Sequence, residues 1–361
     1  MTSNQKARSA RANADHQAQA SEAAVRSTMT EDLVAALLGL GIVVALYSDG
    51  RAHVLRLPDS FFTPWHAFLY GGLVLLSAWL AVISRRAAVR HRLARIAHIP
   101  AGYGFAVFGA AAFAVGGAAD LAWHEVFGIE SGIDALLSPT HLWLFVSGVL
   151  LVSGPVEAQR RRTGRPTATA RIFATLAVTS IAAIAAFALS FYSGFLTDPE
   201  HFAVGGAAQV ARGSLVVVGL GGYLITTVVL VTPVVFLLRF GLAIAGSVTF
   251  LVTVVAALAE VLENFHDLRV VPAAFVAAVF TDAVLAGLRL RGVGLRGQEL
   301  VLAAALPMLV WPAQLVVKNL GQGVAWSVEL VNGIVILSAL VSFAVVLALG
   351  PNPRREGTDT R

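Results

Sequence analysis

Two short stretches of this chain carry carboxylates and imidazoles at spacings that bring them together on a helix face. The first reads Asp49-Gly-Arg-Ala-His53, then Asp59-Ser-Phe-Phe-Thr63-Pro64-Trp65-His66, with Tyr70 four residues on. The second reads Asp120-Leu-Ala-Trp-His124, then Asp134-Ala-Leu-Leu-Ser138-Pro139-Thr140-His141, with Phe145 four residues on. Both follow D-x3-H, a connection, then D-x3-[ST]-P-x-H-x3-aromatic, and only the connection differs, five residues against nine. Residues four apart share a helix face, so Asp49 with His53, and Asp120 with His124, can point at one centre. Thr63-Pro64 and Ser138-Pro139 read as an N-cap followed by a proline in the first helical position. That places His66 and His141 in the first turn of a returning helix.

One carboxylate and two imidazoles suit a first-row transition metal. Copper, iron and zinc all fit, with positions left for water, oxygen or a substrate. Magnesium and calcium would want more oxygen ligands. The chain has no cysteine, which removes disulfides, thiolate metal sites, c-type haem attachment and cysteine nucleophiles. The competing reading is structural: Asp, His and Trp are ordinary residues at the ends of membrane spans, where Asp–His hydrogen bonds can fasten helices. Ten Asp and nine His in a chain of this length give ~0.25 D-x3-H pairs by chance. Two such pairs, each followed by an S/T-P-x-H helix start, make metal binding the leading reading.

The elements that must hold these groups are membrane helices. The 361 residues are 57% hydrophobic and 13% charged, with a mean hydropathy of +0.77, a composition that excludes a water-soluble globule. The expected fold is all-α, a polytopic membrane helical bundle of about ten transmembrane helices with a repeated helical hairpin in the N-terminal half. Apolar runs of bilayer length predict spans at 31–48, 62–84, 99–119, 140–157, 172–196, 214–238, 241–262, 270–288, 299–317 and 326–349. Residues 1–30 read as a disordered cytoplasmic tail, 31–157 as the duplicated hairpin region, 158–349 as the remaining bundle and 350–361 as a second tail. The first apolar run lacks a small-residue cleavage site and reads as a retained span.

Alternating the spans puts all but five of the 26 Lys and Arg residues on the side of the two termini. That bias predicts both termini cytoplasmic, in what is expected to be a prokaryotic plasma membrane, and it accounts for the net charge of +5 without nucleic acid. Six of the nine histidines then fall on the outer side, where both Asp/His stretches lie. Asp59 and Asp134 are expected to support the ligands. Glu260, Glu263, His266 and Asp267, at the outer end of the seventh span, form a further possible second shell or proton relay, with an Asp267–Arg269 ion pair as the alternative. Asp282 and Glu329, predicted inside spans eight and ten, keep a transport reading open, with Lys318 at the outer end of span nine as a possible partner of either. No P-loop, dinucleotide fingerprint or nucleophile elbow is present.

The stretch Asp49–Tyr70 resembles the signature of a copper-binding membrane subunit of the particulate methane and ammonia monooxygenases. In that family an Asp and two His at D-x3-H-x12-H spacing form a copper site, and twelve residues likewise separate His53 from His66. The second stretch resembles a later segment of the same subunit, N-x3-H followed by P-x-H, which supplies an Asn/His/His copper site within the membrane. Here Asp120 stands where the family has Asn, and the gap from His124 to His141 is 16 residues where the family has 13. The resemblance covers about Asp49–Phe145, little more than a quarter of a chain that is longer and richer in predicted spans than that subunit. It implies copper as the cofactor, a monooxygenase-like activity, and partner membrane subunits or a homo-oligomer beside the lipid bilayer. The alternatives are a membrane transporter or metal-handling carrier using the same polar residues, and a structural membrane protein.

Overall fold

The structure, a computed structural model, describes residues 25–57, 63–90, 97–128, 130, 132–197, 209–321 and 323–350. Every regular element among them is helical. In chain order these are α1 (Met29–Val54), α2 (Pro64–Arg90), α3 (Gly104–Phe127), α4 (Ile133–Leu137), α5 (Pro139–Val152), α6 (Gly154–Arg160) and α7 (Ala168–Ala188). A 3-10 turn at Ser190–Tyr192 follows, then α8 (Gln209–Arg239), α9 (Ser247–Leu262), α10 (Val270–Leu290), α11 (Leu295–Gly321) and α12 (Val328–Ala348).

Eight of these helices are long and apolar enough to cross a membrane: α1, α2, α3, α7, α8, α10, α11 and α12. The expected span at 140–157 is a pair, α5 and α6, that together have the length and apolarity of a span but are bent by 44° at their junction. Pro155 sits in the first turn of α6, where it has no N–H to continue the ladder of α5. The expected span at 241–262 is the 16-residue α9, shortened because residues 241–246 form a turn that ends in Gly246, the left-handed N-cap of α9.

Side-chain contacts set the direction of each neighbouring pair. Asp49 meets His66 at one end of α1 and α2, and at the other Trp79 Nε1 donates to Glu31 O over 3.1 Å. The two helices are therefore antiparallel. In α3 and α5, Asp120 meets His141 at one end, and the Trp143 indole donates to Ala112 O over 2.7 Å further along. Leu73, Leu76 and Leu80 of α2 pack with Ile42 of α1, Phe113 of α3 and Leu144 and Leu151 of α5 in one apolar cluster. A larger cluster is built from α7 to α12 around Trp311, Tyr223 and Leu251. A third joins the two through Tyr47 of α1, Ile184 and Phe187 of α7 and Leu258 of α9.

The end of the α1–α7 region remote from the Asp/His stretches is held by buried charge. Asp32 is fully buried and accepts from Arg162 (2.7 Å), Tyr103 Oη (2.8 Å) and Gln159 Nε2 (2.5 Å). Glu31 takes Arg90 and completes a capping box with Thr28. A buried carboxylate is tolerated only with such a full set of donors. Here those donors tie α1 to the start of α3, to α6 and to the turn after α6.

Candidate metal centres

Each half of the N-terminal region brings its own triplet together. In the first, Asp49 Oδ1 lies 3.3 Å from His66 Nε2 and Asp49 Oδ2 lies 3.7 Å from His53 Nε2. In the second, Asp120 Oδ1 lies 3.5 Å from His141 Nε2 and Asp120 Oδ2 lies 3.4 Å from His124 Nε2. In both triplets the three ligand atoms lie within 4.8 Å of one another. The two imidazole rings are 5.9 Å apart in the first and 5.7 Å in the second.

Those distances bear on the two readings of the pattern. An N–H···O hydrogen bond spans about 2.7–3.2 Å, shorter than all four Asp–His separations. Ligands held at about 2.0–2.1 Å around a tetrahedral ion sit about 3.3–3.4 Å from one another. The four separations of 3.3, 3.4, 3.5 and 3.7 Å run to both oxygens of each carboxylate, and one ligand atom from each residue lies within 4.8 Å of the others, close enough to share an ion. Asp49 and Asp120 are both buried, and a bound cation would offset the charge of each carboxylate.

The S/T-P-x-H element does two jobs. Ser138 caps α5, its hydroxyl accepting from His141 N and lying 2.8 Å from His141 Nδ1. Thr63 Oγ1 lies 3.1 Å from His66 Nδ1. The hydroxyl at the helix start thus occupies Nδ1 and turns Nε2 toward the carboxylate, the arrangement usual for metal-bound histidine. The D-x3-H half works by position: His53 and His124 sit one turn beyond Asp49 and Asp120, in the last turns of α1 and α3.

Two residues of the second triplet have no described counterpart in the first. Thr140 Oγ1 donates to Asp120 Oδ1 over 2.7 Å, whereas Trp65 stands at the matching place in the first stretch. Glu130 Oε2 lies 3.3 Å from His124 Nδ1, and the Trp123 indole N–H donates to Glu130 Oε1. The chain can fold back this way because α3 stops at Gly128, whose φ of +83° suits glycine. The residue motifs missed Glu130. The signal that would have found it is spacing, since Glu130 follows His124 by six residues as Asp59 follows His53.

Both triplets line one cavity of about 520 Å³. Its remaining wall is largely apolar, with Leu69, Phe113, Leu144, Phe145, Ile184 and Phe187 prominent, while Glu130 and Glu263 also reach it. Tyr70 lines the same cavity, within electrostatic range of both Asp49 and Asp120. Its ring covers Gly117, where a Cβ would come within 2.8 Å of it. A second hollow of about 450 Å³ opens between α2 and α3, lined by His66, Ala67, Tyr70, Leu73, Ala114 and Gly117 among others.

The other expected residues separate. Asp59 lies outside the described residues. Asp134 is exposed on α4 and lines neither hollow. Glu260, Glu263 and Asp267 do not share one helical face, because α9 ends at Leu262 and Asn264 and Phe265 take positive φ. Glu260 instead accepts from Asp267 N over 2.9 Å, and Asp267 pairs with Arg269 at 2.7 Å, the expected alternative. Of this group only Glu263 reaches the cavity, and His266 is exposed. Asp282 accepts from Thr249 N and Oγ1 at the start of α9. Glu329 is exposed in the first turn of α12 rather than within the helix.

No family model matches the chain, and no curated protein or solved structure is significantly similar to it. What the fold and site define is a class: a multi-pass helical membrane protein with two Asp/His/His groups that can hold metal ions.

Proposed function

We propose that this chain binds transition-metal ions, copper foremost, at the outer side of a prokaryotic plasma membrane. The reading extends to a monooxygenase-like membrane protein related to the methane and ammonia monooxygenase subunit it resembles. The observation that carries metal binding is the pair of Asp/His/His groups, spaced as ligands of a common ion and facing one cavity. Asp49, His53 and His66 would hold one ion and Asp120, His124 and His141 the other. Copper is favoured over zinc and iron by the resemblance; the ligand set suits all three. Bound copper would supply one-electron redox chemistry. The chain's own part is to fix Nε2 of His66 and His141 through Thr63 and Ser138, and to surround the ligands with an apolar wall suited to a membrane-dissolved substrate. The basic residues clustered on the side of both termini support an outward-facing site. The hairpins that carry the triplets are read as an internal repeat, from the shared order of motif, helix end and proline-capped return.

A carrier would draw on the same polar residues. Of the groups expected to mark a transport path, Asp282 is engaged by Thr249 and Glu329 is exposed in the first turn of α12. Purified protein in detergent tests the proposal by elemental analysis. Stoichiometric copper, lost in the double variant His53→Ala plus His124→Ala, is the expected result. Unmutated protein that holds no copper, iron or zinc after loading would overturn it. Oxygen uptake with apolar substrates by the copper-loaded protein then separates the monooxygenase from the carrier.

A further inference from the structure

At the opposite end of the bundle, four helix ends enclose a hollow of about 260 Å³. Arg171 of α7, Arg289 of α10 and Gln298 of α11 face it, beside Leu238, Leu295 and the backbone of Gly241. It is remote from the metal groups: Thr175, one turn beyond Arg171, meets Ser247 at the start of α9, whereas the cavity of the triplets meets Leu262 at its end.

Both guanidinium groups are short of partners. Arg171 Nε is buried and has no hydrogen-bond partner among the described residues. Arg289 Nε makes one long bond, 3.3 Å, to Gln298 Oε1, and Gln298 is itself anchored by donating to Val293 O over 2.8 Å. The two arginines are close enough to act on each other electrostatically. Among the described residues no carboxylate lines the hollow; the nearby Asp282 acts on Arg289 at a distance, with Oδ2 taken by Thr249. Two like charges beside a buried, unpartnered donor make a costly arrangement unless an anion fills the space between them.

We propose that Arg171 and Arg289 bind a phosphate group here, that of an anionic phospholipid headgroup. Planar guanidinium groups offer paired N–H donors that match phosphate oxygens, and a basic hollow between helix ends on the side of both termini is placed to take a headgroup. Gln298 fixes the orientation of Arg289, and the aliphatic wall from Leu238 and Leu295 would lie against the glycerol and upper acyl region.

The full chain in nanodiscs tests this, with phosphatidylglycerol, phosphatidylcholine and inorganic phosphate as probes and native mass spectrometry as readout. Unmutated protein should retain phosphatidylglycerol in preference to phosphatidylcholine. Arg171→Gln with Arg289→Gln should lower that retention by roughly tenfold, whereas Arg291→Gln, exposed on the same face, should not. If inorganic phosphate displaces the lipid and binds in its place, phosphate recognition stands and free phosphate is the ligand. Equal retention of the two lipids by unmutated protein, with no bound phosphate, overturns the site even if the double variant fails to fold. Retention unchanged in a folded double variant overturns it as well.

Discussion

The two Asp/His/His groups share their three ligands and differ in how those ligands are held. In the second, Thr140 pins one oxygen of Asp120, and Glu130, itself held by Trp123, backs the far nitrogen of His124. In the first, Trp65 replaces the pinning threonine, and Tyr70 replaces the Phe145 that stacks beside His141. Equal motifs thus produce unequal sites, because the residues between the ligands decide what surrounds them.

The largest expected effect tests whether these are two sites at all. Asp120→Ala should remove the metal held by the second group and leave that held by Asp49, halving the metal content measured by elemental analysis. A variant that empties both would show a single shared centre and dissolve the comparison. Next comes Glu130→Gln, which keeps shape but removes the charge behind His124. It should weaken metal binding at the second group by about 10- to 100-fold in chelator competition, leaving the first unchanged. Thr140→Val should cost about tenfold at the second group by the same measurement, since Asp120 loses one oriented donor. A first group that weakens equally in either variant would deny the asymmetry. The smallest effect belongs to Tyr70→Phe, which makes the first group resemble the second. Metal content should stay the same, while the spectrum of the bound ions shifts.

The contrast extends to the helices beneath the ligands. α2 runs unbroken from Pro64 to Arg90, whereas the corresponding return in the second half breaks between α5 and α6. The proline that breaks it was visible as a residue. Its consequence was not, because whether proline kinks or ends a helix depends on what packs against the freed carbonyls. The turn at 241–246 likewise converts an expected span into the short α9. Asp134 and Glu130 show the same limit at the site. Asp134 shares its motif position with Asp59 and yet points away, while Glu130 belongs to no motif and reaches His124 through the turn at Gly128.

Composition alone determined that this is a membrane helical bundle, because a chain so rich in apolar residues can satisfy its backbone in lipid chiefly by forming helices. Spacing alone brought Asp49 to His53 and Asp120 to His124, because one helical turn fixes their relation. The S/T-P-x-H order placed His66 and His141 at helix starts for an equally local reason. Only the tertiary structure decided that the two halves of each triplet meet at ligand distances, that both triplets open on one cavity, and that Glu260, Asp267 and Asp282 serve to bind other parts of the chain. Those outcomes rest on helix packing and turn geometry between residues distant along the chain, which no local spacing encodes.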